Sequence, residues 1–304
     1  MRRPVLPFAL ALVASGTAAL PLRAQMEPPP QVKADVRAAW IAAKRTAIVG
    51  PAEIKLLDQG TIRLTPDEVF IPAAEANGIM HAYGNPSIPS RFGLIASRRD
   101  KALWLVDVKW VKEGYVRDGD AKDWQPDAML DDLKQSTETA NADRIARGIP
   151  AMDITGWVQP PAYDGKMHRL VWSLGSRDRG APASEPQTIN YNTYALGRDG
   201  YFSLDLITDD KDIGADKVVA QQLLGSLAYE PGKRYEDFNS STDKVAAYGL
   251  AALVGVVAVK KLGLLALAGA FLLKAWKLGM IAIAGIGAAV RRIVNRKGSG
   301  DGEA

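Results

Sequence analysis

The 304-residue sequence has no cysteine and only two histidines, His81 and His168. Without cysteine there are no disulfide scaffolds, zinc–thiolate sites, iron–sulfur clusters or thiol nucleophiles. Two histidines far apart in sequence leave no basis for a polyhistidine metal centre. His81 falls near a helix end, and His168 follows a tight turn between Lys166 and Arg169; both positions suit solvated histidines. No G-x-S-x-G elbow, H-E-x-x-H helix or Walker A loop occurs. No catalytic, cofactor-binding or metal-ligating residue is therefore assigned, and no cofactor is expected. What is present is ample apolar material, 47% of the chain, enough for a packed core.

The formal net charge of +4 hides a segregation. Residues 27–243 hold 26 basic and 32 acidic side chains, whereas the two ends hold 12 basic residues against Asp301 and Glu303. All the excess positive charge flanks apolar segments, the pattern of membrane targeting and orientation. A nucleic-acid binder needs its basic patch on the folded domain. This domain is acidic, so nucleic acid is excluded as a partner.

Residues 1–24 read as a secretory signal peptide: Arg2 and Arg3, the apolar stretch from Val5 to Leu20, then small residues before Ala19 or Ala24. At the other end, a polar linker at 229–244 leads to three apolar runs, 245–259, 262–273 and 278–290. Lysines separate them, and Arg291, Arg292, Arg296 and Lys297 follow. No run alone reaches the ~20 residues of a spanning helix. Residues 239–297 are accordingly expected to form a membrane anchor with one or two transmembrane helices, followed by a polar tail, 298–304.

Between these ends lies an expected exported α+β domain, 27–238, with 27–100 a candidate subdomain. Val32, Val36 and Trp40 recur at helical spacing. A hairpin is expected around Asp58-Gln59-Gly60. Thr65, Pro66 and Glu68 spell a capping box, which predicts a helix from there to about Met80. Strands are expected at 92–96 and 102–111. A helix is expected from Pro126 to about Arg147, with Met129, Leu130, Leu133, Thr137, Ala140 and Ile145 facing inward. An antiparallel β-meander follows, with strands near 153–159, 167–174, 187–197 and 200–208. Asp164-Gly165 and Asp199-Gly200 are predicted tight turns with glycine at positive φ, and Gly175 to Pro186 reads as a long loop. A last helix carries Val219, Leu223 and Leu227. Helices grouped on a mainly antiparallel sheet define the α+β class.

Two constellations could carry chemistry. Aromatics cluster on the strands, and Trp157, Tyr163, Tyr191 and Tyr194 form a candidate stacking surface for a sugar or peptide. The carboxylates from Asp118 to Asp127 are a candidate acid–base set. They break the EF-hand pattern at Lys122, Asp123 and Met129.

Several blocks carry a family resemblance: Gly114-Tyr115-Val116-Arg117-Asp118-Gly119-Asp120; Gly156 to Asp164; Asn190-Tyr191-Asn192; Leu196 to Gly200; and Tyr235 to Phe238 running into Ser241 to Gly249. Over about residues 45–292 the chain resembles domain of unknown function 2167, a bacterial family described as membrane-anchored and without assigned activity. The resemblance implies an exported domain tethered by C-terminal membrane segments; with the signal peptide and the charge pattern, the expected location is the bacterial cytoplasmic (inner) membrane, with the main domain on the extracytoplasmic side. It transfers no site residues. The expected partners are the lipid bilayer and another envelope protein or a glycan. The leading expectation is a non-enzymatic binding or scaffolding protein of the envelope. The alternatives are a carbohydrate- or peptide-binding module and an envelope hydrolase using the Asp118–Asp127 carboxylates.

Overall fold

The computed structural model describes residues 30–254, apart from 84, 86, 100, 101, 103 and 147–149. The expected signal peptide and most of the expected membrane region lie outside the described residues. Among the described residues no helix is long and apolar enough to cross a membrane.

The chain runs α1 (Pro30–Ala43), β1 (Ile48–Val49), β2 (Ala52–Leu56), β3 (Gly60–Leu64), β4 (Glu68–Pro72), α2 (Ala73–Ala82), β5 (Arg91–Ser97), β6 (Leu105–Val111) and β7 (Tyr115–Arg117). It continues with α3 (Pro126–Ala146), β8 (Met152–Asp164), β9 (Arg169–Asp178), β10 (Thr188–Leu196), β11 (Tyr201–Asp209), α4 (Ile213–Ser226), β12 (Ala228–Tyr229), β13 (Val245–Gly249) and α5 (Ala251–Val254). Eight strands form one antiparallel sheet in the order β1-β4-β5-β6-β11-β10-β9-β8. A second sheet has the order β12-β3-β2, and β7 pairs with β13 in parallel. This is the α+β architecture, with the meander β8 to β11 forming one half of the main sheet and β8 at its edge. Residues 27–100 are not a separate unit, because β4 and β5 are strands of the main sheet and join it to the meander across β6–β11.

Side chains alternate across a strand, so each face of the sheet has its own core. On one face Phe70, Ile95, Val106, Val108, Trp110, Tyr191, Phe202, Leu204 and Leu206 pack against the small sheet and against Ala220, Leu223 and Leu224 of α4. On the other face, Ile71, Leu94, Ala96, Leu105 and Ile207 lie under α1 and α2. At the far end of that face, Leu170, Trp172, Leu174, Tyr194, Leu196 and Tyr201 pack with Met129 of α3 and with Ala246, Leu250 and Val254.

Four local expectations are corrected. The capping box at Thr65 is half real: the Thr65 backbone N–H donates to Glu68 Oε2 at 2.7 Å. The turn it closes, however, opens β4 rather than a helix. Val69, Phe70 and Ile71 are a β-branched and aromatic run, and their pairing with β1 and β5 overrides the local signal. The helix starts only at Ala73. In the β8–β9 hairpin Gly165 is not at positive φ; His168 takes that conformation, at φ 51°. The loop is four residues long instead of two, and the Asp164 carboxylate accepts from the Lys166 and Met167 N–H groups. Strand β9 continues to Asp178, which shortens the expected long loop. Ile145 is 60% exposed, and Asn141 is the buried residue near that end of α3. Its amide bonds both the N–H and the C=O of Met152, at 2.8 and 2.9 Å.

Candidate functional site

The domain does not stop at Phe238, the boundary expected from composition. Residues 245–249, the start of the first apolar run, form β13 beside β7. Leu250 and Val254 are 0% and 1% exposed within the core. The fold therefore incorporates the beginning of the segment expected to enter the membrane.

Several side chains hold this junction. Asp120 accepts from the backbone N–H groups of Leu250 and Ala251, Oδ1 at 3.1 Å and Oδ2 at 3.0 Å, and so caps α5 from another part of the chain. Arg198 meets Asp243 in a two-pronged ion pair of 2.7 and 2.8 Å. That arginine holds the Asp243 carboxyl well below the usual range. The Gly114 N–H donates to Asp199 O, and the Tyr115 N–H donates to Lys244 O.

Beside the junction, four rings form a column. Phe238 stacks on Tyr115 at 3.9 Å, Tyr115 on Tyr235 at 4.3 Å, and Tyr235 on His168 at 4.2 Å. The Tyr235 hydroxyl donates to Val116 O at 2.8 Å. The Tyr163 hydroxyl donates to Asp118 Oδ2 at 2.8 Å and lies 3.2 Å from His168 Nδ1. Since that hydroxyl's proton points to Asp118, a bond with His168 requires the proton to sit on Nδ1. Desolvation and the Asp118 carboxylate both push the Tyr163 phenol up, in keeping with a hydroxyl that holds its proton and donates it to Asp118.

The four aromatics chosen from the sequence do not share a surface. Tyr191 and Tyr194 are 2% and 1% exposed and point into cores on opposite faces of the sheet. Trp157 is half-buried, edge-on to Trp172, with its Nε1 donating to Pro126 O. Tyr163 belongs to the column. The acidic set does not converge either: Asp118 faces Tyr163 and Asp120 faces the α5 backbone, whereas Asp123 and Asp127 are exposed. Among the described residues no three His, Asp or Glu side chains form a group that could hold a metal ion.

Two features escaped sequence reasoning. One is an open apolar cavity of about 450 Å³, lined chiefly by Leu57, Phe70, Pro72, Phe92 and Trp110. The other is a buried charged band on the face opposite α4. Arg91 pairs with Asp107 at 2.9 and 3.1 Å and donates to Asn77 Oδ1. Lys109 bridges Asp107, at 3.1 Å, and Asp205, whose carboxylate also accepts from Ser203. Burial opposes charge on Asp107, yet Lys109 and Arg91 outweigh it and hold its carboxyl low. Likewise the two carboxylates outweigh burial at Lys109 and push its ammonium up. The sequence signal for the band was faint: charged residues at alternate positions of strands that are otherwise apolar.

Most of the blocks that carry the family resemblance meet at the junction: 114–120 and 241–249 pair as strands, Tyr163 reaches Asp118, Arg198 reaches Asp243, and Tyr235 closes the ring column, whereas Asn190-Tyr191-Asn192 lies within β10. A family model described as "Protein of unknown function (DUF2167)" matches residues 48–284. The chain belongs to this family. No curated protein matches the sequence. Among solved structures, cyanobacterial PsbP (CyanoP) from Synechocystis sp. PCC 6803 is similar at 8% identity, over 60% of this chain and 94% of that one. The TM-score is 0.36, a level from which no shared role follows.

Proposed function

We propose that this family member is an exported domain held at the cytoplasmic membrane by its C-terminal apolar region, where it acts as a non-enzymatic binding or scaffolding module for another envelope component. The supporting observation is the junction. Asp120, the β7–β13 pair and the Arg198–Asp243 bridge fix the chain at the residues where the apolar runs begin. A flexible tether would need none of these contacts. A rigid exit gives the domain a set orientation over the bilayer, which suits a module that presents one surface to a partner. The acidic domain, with the excess of positive charge confined to the flanks of apolar segments, fits the same topology.

The chain lacks cysteine, so single introduced thiols report its topology. Ser184 is exposed in the loop between β9 and β10. In the variant Ser184→Cys, an impermeant thiol reagent should label intact bacterial spheroplasts. Labelling only after lysis would overturn the proposal. Ser299→Cys in the polar tail counts the crossings: labelling from outside means two, and protection until lysis means one.

A further inference from the structure

We infer that the tip of the β8–β9 hairpin, Lys166-Met167-His168-Arg169, is a second membrane contact that docks on a bilayer surface containing anionic phospholipid. The inference rests on the membrane-anchored reading above and adds a defined surface to it.

Three observations carry it. First, Met167 is 54% exposed at the turn, an apolar side chain standing out between two basic ones. Lys166 is exposed beside it, and Arg169 is half-buried at the head of β9. The nearest acid in sequence, Asp164, accepts from the loop N–H groups of Lys166 and Met167 and faces Arg169 across the strand pair, so the two cations Lys166 and Arg169 outnumber one carboxylate and the tip keeps a local positive excess. A methionine between cations is the composition of an interfacial contact: the thioether enters the headgroup boundary while the cations meet lipid phosphates.

Second, the tip is pinned to the place where the apolar region begins. Tyr163, at the end of β8, bonds Asp118, and His168 stacks on Tyr235. Asp118 is two residues from Asp120, which caps the helix at Leu250 and Ala251. If the chain enters the bilayer from that helix, the hairpin is held at its entry point.

Third, the charge is local. The domain is net acidic over residues 27–243, so an anionic surface repels most of it. A basic tip on an acidic body orients the domain tip-down, the same direction that the junction imposes.

The test uses the full-length chain with Met167→Cys carrying an environment-sensitive fluorophore. It is reconstituted in vesicles of phosphatidylcholine, with or without phosphatidylglycerol. Flotation with the vesicles reads the anchoring; the probe reads the hairpin. The expected result is flotation in both lipids, with a blue-shifted, brighter emission only where phosphatidylglycerol is present. Lys166→Glu should reverse that shift, and so should raising the salt from about 0.1 to 1 M, which shortens the screening length from ~10 to ~3 Å. A probe at Ser184→Cys should stay water-like throughout. Flotation with a water-like signal from position 167 in both lipids overturns the hairpin contact and leaves the anchoring intact. An equal shift in both lipids that is indifferent to Lys166→Glu overturns the charge-based recognition. Failure to float overturns both readings.

Discussion

The two faces of the eight-stranded sheet use the same strands in the same register, yet they are stabilised differently. The face under α4 is apolar from Phe70 on β4 to Tyr191 on β10. The opposite face has apolar patches at its two ends, with Arg91, Asp107, Lys109, Asp205 and Ser203 buried between them. An apolar face tolerates a lost side chain in proportion to the cavity left behind. A buried charged band is less forgiving, because removing one member leaves another ionised and unpaired. The uniform face fixes the stability of the fold. The divided face fixes which helices sit where, since α1 and α2 cover one patch while α3 and the junction cover the other.

The sharpest break of this comparison is Lys109→Met. It strips Asp205 of its cation and should cost about 4 kcal/mol, read as a drop in the urea midpoint. Adding Asp205→Asn should recover part of the loss; no recovery would mean that the band is not electrostatically coupled. The pH dependence follows from the signs. The Lys109 pKa is raised in the fold, so its contribution is complete below about 10.5 and drains as pH rises through the folded value. The difference in stability between wild type and Lys109→Met should therefore shrink on the alkaline side. The matching change on the apolar face, Leu204→Ala, should cost about 3 kcal/mol with no pH dependence of its own.

Smaller effects test the edges of the comparison. Gly200→Val should cost about 2 kcal/mol, because Gly200 sits at φ 155° and a Cβ there would run into the Val111 carbonyl oxygen. Gly165→Val should change the stability by less than about 0.5 kcal/mol, since only the Tyr163 ring, at 3.7 Å, comes near its Cβ. A large loss at Gly165 would mean that the hairpin loop is a two-residue turn after all. Asp120→Ala removes the cap on α5 and should cost about 1 kcal/mol. Its clearer readout is faster proteolysis near Leu250 without global unfolding; a protease pattern identical to wild type would show that the junction does not depend on this carboxylate.

Much of the meander was legible because period-2 alternation survives in Leu170-Trp172-Leu174 and Phe202-Leu204-Leu206. The same alternation could not say that these two triplets face opposite ways, because that depends on register. The Thr65 box misled for a related reason: a three-residue turn signal cannot report that two neighbouring strands will claim Val69 to Ile71. Tyr191 and Tyr194 looked like a shared surface because both are aromatic and three residues apart. On a strand an odd spacing puts side chains on opposite faces, and helices and strands cover both. The junction was hidden inside a hydrophobic run, where composition alone drew the domain boundary too early.

The sequence by itself determined the fold class, the hairpin order of the meander, the family, and the segregation of the basic excess to the two ends of the chain. These follow from local periodicity, turn chemistry and composition, each of which acts over a few residues. Only the tertiary structure decided that Asp118 would meet Tyr163, that Asp120 would cap a helix 130 residues later, and that Lys109 would sit between Asp107 and Asp205. Most of these pairings join segments distant in sequence, and a short polar side chain carries no local mark of the partner that desolvation will require it to find.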